Sequence, residues 1–326
     1  SPNEEANKPA LIKRAFVDIT GLPPTHAEYQ QWNNNTQANW YQQMVKALLK
    51  KPAYGEKMGV LWLDLARYAD SYGFQDDNIR TQWPWRDWVI NAFNKNLPYD
   101  QFLTQQIAGD LLPNATKETI LATAFFRNHK YTEEGGVIEE EYRVSYNIDK
   151  TKTYGKAVLG VTIECAQCHD HKYDPFSAKD YYQLYGFFNI SKEEGYEGDV
   201  SISTPAKTPK LFLTAADRKT VLQYINTKDT NTLEVAVMGD SNKPRPTYIL
   251  NRGSYDAPSN VQVQPTALES IMPFDTTKYP RNRLGLAGWT VNKKNPLTAR
   301  VFVNFVWQEI FGKGIVKTSG DYGLQG

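Results

Sequence analysis

The chain has 326 residues, enough for two ordinary domains or one large domain with insertions. Its 37 Lys+Arg balance 36 Asp+Glu, so net charge supplies no reason to bind nucleic acid or an anionic membrane. No apolar run approaches the roughly 18 residues a membrane span needs, and no transmembrane segment is expected.

Residues 10–50 read as helical, broken by GLPP at 21–24, with Thr25 placed to cap a second segment. Met44, Val45, Leu48 and Leu49 then fall at helical spacing. EKMGVLWLDLARYAD (56–70) is the clearest helix, with Met58, Leu61, Trp62, Leu65 and Ala69 on one stripe and Asp64 close enough to pair with Arg67. Further helices are expected at 84–96, at 99–113 up to Pro113, and at 117–131. Ser177 and Asp180 form a capping-box signature opening SAKDYYQLYGFF. From about 196 the sequence turns polar, and LEVAVMGD and RPTYILNRG read as a hairpin joined by SNKP. Residues 280–314 return to helical periodicity, with Gly312 and Gly314 as stops. The expected fold is mainly α: a helical module over 1–195, a variable linking region with a short β-hairpin over 196–265, and the beginning of a second helical module over 266–326. The start without Met, and the end at GDYGLQG soon after a Trp-bearing apolar segment, suit a fragment of a longer chain.

Both cysteines and two of the four histidines lie in ECAQCHDHKYDP, 164–175. Cys165-Ala166-Gln167-Cys168-His169 fits C-x-x-C-H, in which two thiols bond the vinyl groups of one porphyrin and the adjacent His ligates its iron. The string therefore predicts one covalent haem c, with Cys165 and Cys168 as attachment points and His169 as proximal ligand. The competing readings are a zinc site using His171 as fourth ligand, a redox dithiol, and a structural disulfide. His129 is the first candidate for the sixth iron position, ahead of Met58, His26, Met44, Met238 and Met272. Haem attachment would place the protein in the periplasm, at the cell surface or outside the cell.

WLDLARYADSYGF (62–74), WPWRDWVINAFN (83–94), PYDQFLTQQIAGDLLPNAT (98–116), NHKYTEEGG (128–136) and the cysteine segment to 189 resemble a planctomycete-type secreted cytochrome c-like family. RPTYILNRGSYD (245–256) and 281–326 resemble the start of its usual C-terminal companion module. The resemblance implies an exported protein, encoded near sulfatases and other enzymes of polysaccharide breakdown, whose second module is cut short here. Members often carry Met just before the acidic stretch, where this chain has Lys130 after His129, which strengthens His129 as distal ligand.

The acidic candidates for catalysis are Asp64, Glu133, Glu134 and Asp174, since paired carboxylates about 5–10 Å apart can hydrolyse glycosides. Glu139, Glu140 and Glu141 read as a solvated face. His171, with Asp170, Lys172 and Asp174, follows the proximal histidine and is a proton-transfer candidate. Arg67, Arg86 and Arg143 suit haem propionates or acidic sugars, against the local alternative that Arg67 and Arg86 pair with Asp64 and Asp87. Three functions stand: a haem oxidoreductase in polysaccharide breakdown, a carbohydrate-active hydrolase with a structural haem, and a non-enzymatic electron carrier or binding module. The partners they imply are a polysaccharide, a redox protein and the missing C-terminal portion of the chain.

Overall fold

The computed structural model describes residues 4–222 and 231–326; residues 1–3 and 223–230, the latter within the predicted linking region, lie outside them. The described residues are mainly helical, with two small sheets, and the contacts divide them into two compact units.

The first unit takes Ser1–Asp64 and Val89–Leu97. Helices α1 (Lys8–Thr20), α2 (His26–Asn33) and α3 (Trp40–Leu48) enclose Ile12, Ala15, Phe16, Trp32, Met44 and Leu48. Each helix end has a local cause. Asn7 accepts from the Ala10 N–H, and Gly21 closes α1 at φ 72°, a conformation that glycine adopts without a Cβ penalty. Thr25 and Glu28 complete a reciprocal capping box on α2.

Helix α4 (Pro52–Leu65) stops short of the expected 70, because Arg67 takes a left-handed φ of 57°. Its buried face is Gly55, Gly59 and Trp62 rather than the expected stripe. Gly55 donates to Asn94 Oδ1, and a Cβ there would stand 2.4 Å from the Ile90 carbonyl oxygen. The missing side chain permits that approach. Gly55→Ala is therefore expected to destabilise the protein by about 1–3 kcal/mol through overpacking. Urea unfolding checks this, and an unchanged midpoint would sink it.

The second unit takes Leu65–Trp88 and Pro98–Gly326. The residues of α5 (Trp83–Asn94) divide between the two units, and α6 (Tyr99–Ala108) and α7 (Lys117–Ala122) follow in the second. Helix α6 ends at Gly109, where a Cβ would strike the Thr119 carbonyl, and α7 gives way to a 3-10 turn over Thr123–Arg127, so the expected 117–131 helix is short. Helix α8 (Glu139–Tyr154) runs beside α9 (Ala178–Asn189). The latter begins on the predicted Ser177–Asp180 box and is buried along most of its length. After α10 (Ala215–Val221), the expected final helical stretch divides into α11 (Arg283–Thr290) and α12 (Pro296–Phe311). Asn295 caps α12, Pro296 opens it and Gly312 ends it.

Strand β1 (Lys210–Leu213) pairs antiparallel with β2 (Leu233–Ala236), Lys210 opposite Ala236. Strand β3 (Thr247–Leu250) pairs antiparallel with β4 (Pro258–Val263), Thr247 opposite Val263. The predicted strands at 233 and 247 thus exist but pair with other partners. Pro244 and Pro246 supply no N–H where a ladder joining those two strands would begin.

Candidate functional site

Beneath the surface of the second unit lies a network of buried charges. Helix α8 presents Arg143, Asn147 and Lys150 on one buried face, the last residue of the 3-10 turn presents Arg127, and the segment after it presents His129 and Tyr131. Glu193, 2% exposed, sits among them. It receives Arg127 Nε at 2.8 Å, His129 Nε2 at 3.0 Å and the Lys150 ammonium. Burial raises the Glu193 carboxyl, but Arg127, Lys150 and His129 outweigh it and hold the pKa well below the ordinary range. Burial pushes Lys150 down to about 8 despite Glu193. His129 Nδ1 lies 2.8 Å from the Lys130 carbonyl, and burial lowers the pKa of its ring against the pull of Glu193. The ring is packed 4.4 Å from both Tyr131 and Tyr146.

Arg80 extends the network without a direct ion pair, the exposed Asp77 acting on it only from a distance. Only 6% exposed, it donates to the carbonyls of Ala69, His129 and Asn128. Burial and then neighbouring Arg67 oppose its charge, while nearby tyrosines support it. Four cations (Arg67, Arg80, Arg127 and Lys150) thus face two carboxylates, Asp149 and Glu193. Arg80 also lines a cleft of about 310 Å³ with Tyr72, Gln82, Tyr131, Lys207 and Glu234. Gln82 donates to the Ala124 and Ala236 carbonyls, fixing one wall to β2. The opposite rim is the loop in which Ser71 bridges Ile79, held by the Tyr131 N–H on the Tyr72 carbonyl. A second cleft, of about 460 Å³, is lined by Asp240, Arg245 and Arg281 among others, and the buried Arg283 beside it is paired with Asp240.

The predicted acidic residues are dispersed. Glu133 accepts from the Asn78 N–H and amide, both at 3.1 Å, and so clamps the cleft rim. The Glu134 carbonyl accepts from Ser203. Asp64 belongs to the first unit. His171 and Asp174 are brought together at 3.6 Å, but His171 Nδ1 accepts the Asp174 N–H at 2.9 Å, which puts the ring proton on Nε2. Asp174 in turn accepts from Leu324 N–H, and Asp170 from Ala178 N–H at the start of α9. Arg86 pairs with Asp87 as the local alternative held, Arg67 pairs with Asp149 rather than Asp64, and Arg143 pairs with Glu140.

The haem c expectation, and with it the iron, is corrected. Cys165, Cys168 and His169 all lie on an exposed segment, where a porphyrin would find no apolar chamber to cover its faces. Cys168 Sγ instead abuts the Arg252–Gly253 turn, and His169 Nδ1 faces the Asp170 carbonyl at 2.8 Å. His129, the expected distal ligand, has both ring nitrogens engaged inside the buried network. Met44 and Met238 are core residues. Among the described residues, no group of three or more His, Cys, Asp or Glu side chains is placed to hold a metal ion.

Sequence reasoning missed Arg80, Arg127, Lys150 and Glu193. The available signal was a polar, rather than apolar, period along 143–150.

These features define a mainly helical module with a cleft backed by buried positive charge. The family model described as PSCyt2, a protein of unknown function (DUF1549), matches residues 1–193, more than half of the chain, and the chain belongs to that family. The model described as PSD1, a protein of unknown function (DUF1553), matches residues 282–326, so the two-module pairing that the resemblance implied is present. No curated protein and no solved structure matches the chain.

Proposed function

We propose that this chain is an exported polysaccharide-binding module whose cleft takes a saccharide bearing carboxylate or sulfate groups. One observation carries the reading: Arg80 is buried, makes no direct ion pair among the described residues and lines the cleft, with only the exposed Asp77 acting on it from a distance. Three of its five N–H groups are spent on carbonyls, leaving two for an anion. Lys207 adds a second cation at the exposed rim. An acidic glycan also fits the setting beside sulfatases that the family resemblance implies. Binding is favoured over hydrolysis because Glu234 is the one carboxylate lining the cleft among the described residues, and Lys210 pairs with it at 3.2 Å.

Calorimetric titration with uronate or sulfated oligosaccharides, against neutral ones of equal length, tests the reading. Acidic chains are expected to bind more tightly, and more weakly as salt rises. Lys207→Ala should weaken them about two- to five-fold, the range of an exposed ion pair. Equal affinity for neutral and acidic chains, or indifference to Lys207→Ala, would remove the proposal.

A further inference from the structure

We infer that Cys165 and Cys168 are a reversible dithiol–disulfide pair whose oxidation state governs the turn joining β3 to β4. The Cys168 N–H donates to the Cys165 carbonyl at 3.2 Å, closing a one-turn 3-10 segment over Glu164–Gln167. Residues that close such a turn have Cα atoms less than about 7 Å apart. That meets the separation of about 4.4–6.8 Å that a disulfide spans. The turn is braced from both sides: Ala166 is fully buried, and Tyr182 donates its hydroxyl to the Gln167 carbonyl at 2.9 Å. Bond formation then needs side-chain rotation rather than backbone rearrangement. Both thiols are unpaired and exposed, so a soluble oxidant reaches them.

The Cys168 thiol has a definite role while reduced. It donates to the Arg252 carbonyl at 3.3 Å, and Gln167 Nε2 donates to the Gly253 carbonyl. Arg252 and Gly253 both hold left-handed conformations, φ 52° and 74°, and a Cβ on Gly253 would stand 3.1 Å from the sulfur. Arg252 bears the cost of that conformation as a residue with a side chain. A disulfide has no S–H, so oxidation removes one of the contacts that hold this turn.

With a disulfide oxidant of the glutathione class, one protein thiolate attacks and breaks the oxidant's S–S bond. A protein–glutathione mixed disulfide forms and one glutathione thiolate leaves. The second protein thiolate attacks the protein sulfur of that mixed disulfide and expels the second glutathione. The two protons lost by the cysteines end on the two glutathiones, and the protein loses two electrons.

The test equilibrates the full chain in glutathione buffers of graded ratio, quenches in acid, alkylates with maleimide and reads the intact mass. The expected result is one step from a doubly alkylated chain to an unalkylated one lighter by two hydrogens and free of glutathione. Cys165→Ser and Cys168→Ser should each instead retain one glutathione. Stable glutathione adducts on the unsubstituted chain, thiols still alkylated in the most oxidising buffer, or thiols unreactive after reduction would each overturn the pair. Hydrogen exchange reads the consequence: Ser254 and its neighbours are expected to exchange faster in the disulfide form, and unchanged exchange would overturn the link to the turn.

Discussion

Glu193→Gln is expected to lower the stability of the chain by about 3–5 kcal/mol, the range for removing one member of a buried ion pair. The substitution keeps the shape of the side chain but leaves the fully buried Arg127 and Lys150 without their shared carboxylate. Removing charge from both sides is predicted to be milder, so Glu193→Gln with Lys150→Met should recover part of the loss. The pH dependence identifies the cause. Lys150 is already pushed down to about 8 by burial, and losing Glu193 lowers it further. Between that folded pKa and the ordinary lysine value of about 10.4, the unfolded chain holds more protons than the folded one. Stability of the variant therefore rises with pH across that window, while the unsubstituted chain begins to rise only above about 8, so the deficit of Glu193→Gln shrinks as pH approaches 8 and is level beyond it. Urea midpoints from pH 6 to 8 measure this directly. A deficit that stays constant or grows would assign the loss to packing instead of charge.

What the sequence made legible here follows from range. The capping boxes at Thr25–Glu28 and Ser177–Asp180, and the stop at Gly312, were readable because each depends on residues within one turn of one another. Helix α8 was not, because its inner face carries Arg143, Asn147 and Lys150, which break the apolar period that announces a buried helix. The partner that makes Lys150 tolerable inside, Glu193, stands 43 residues away in the polar run SKEEGYEG, which reads as solvated surface. The glycine face of α4 was hidden for a similar reason: only the backbone at Ile90 explains Gly55. Strand existence was local, but strand pairing was not. The C-x-x-C-H string is the sharpest case. Its spacing is a local fact that meets the chemistry of haem attachment, whereas the chamber a haem needs is tertiary, and the fold leaves the segment on the surface.

Arg283→Met is expected to cost a similar amount, about 3–5 kcal/mol, by the opposite electrostatic route. Arg283 is fully buried at the start of α11, one residue inside the segment that matches the PSD1 description. Its fork meets both Asp110 oxygens, at 2.8 and 2.6 Å, while Nε reaches Asp240 at 2.8 Å and Nη1 the Ile107 carbonyl at 2.9 Å. Burial works against the guanidinium charge, but Asp240 and Asp110 overcome it and hold the pKa above the ordinary arginine value. Methionine would fill much of the volume but take from two largely buried carboxylates the guanidinium they share, leaving Asp240 only the more distant Lys192. Asp240 has little slack, since burial already raises its pKa and its Oδ2 has no hydrogen-bond partner. Without Arg283 the Asp240 carboxyl, already raised by burial, would rise further. A carboxyl with a raised folded pKa destabilises as pH climbs from the unfolded value through the folded one, so this deficit shrinks in acid. The two variants should therefore diverge: Glu193→Gln relieved towards pH 8, Arg283→Met relieved towards pH 4. Because Arg283 joins α11 to the end of α6, the same unfolding curves show whether the PSD1-matching segment is integral to the fold of the second unit. A variant that loses α11 alone, in a separate early transition, would refute a single cooperative unit there.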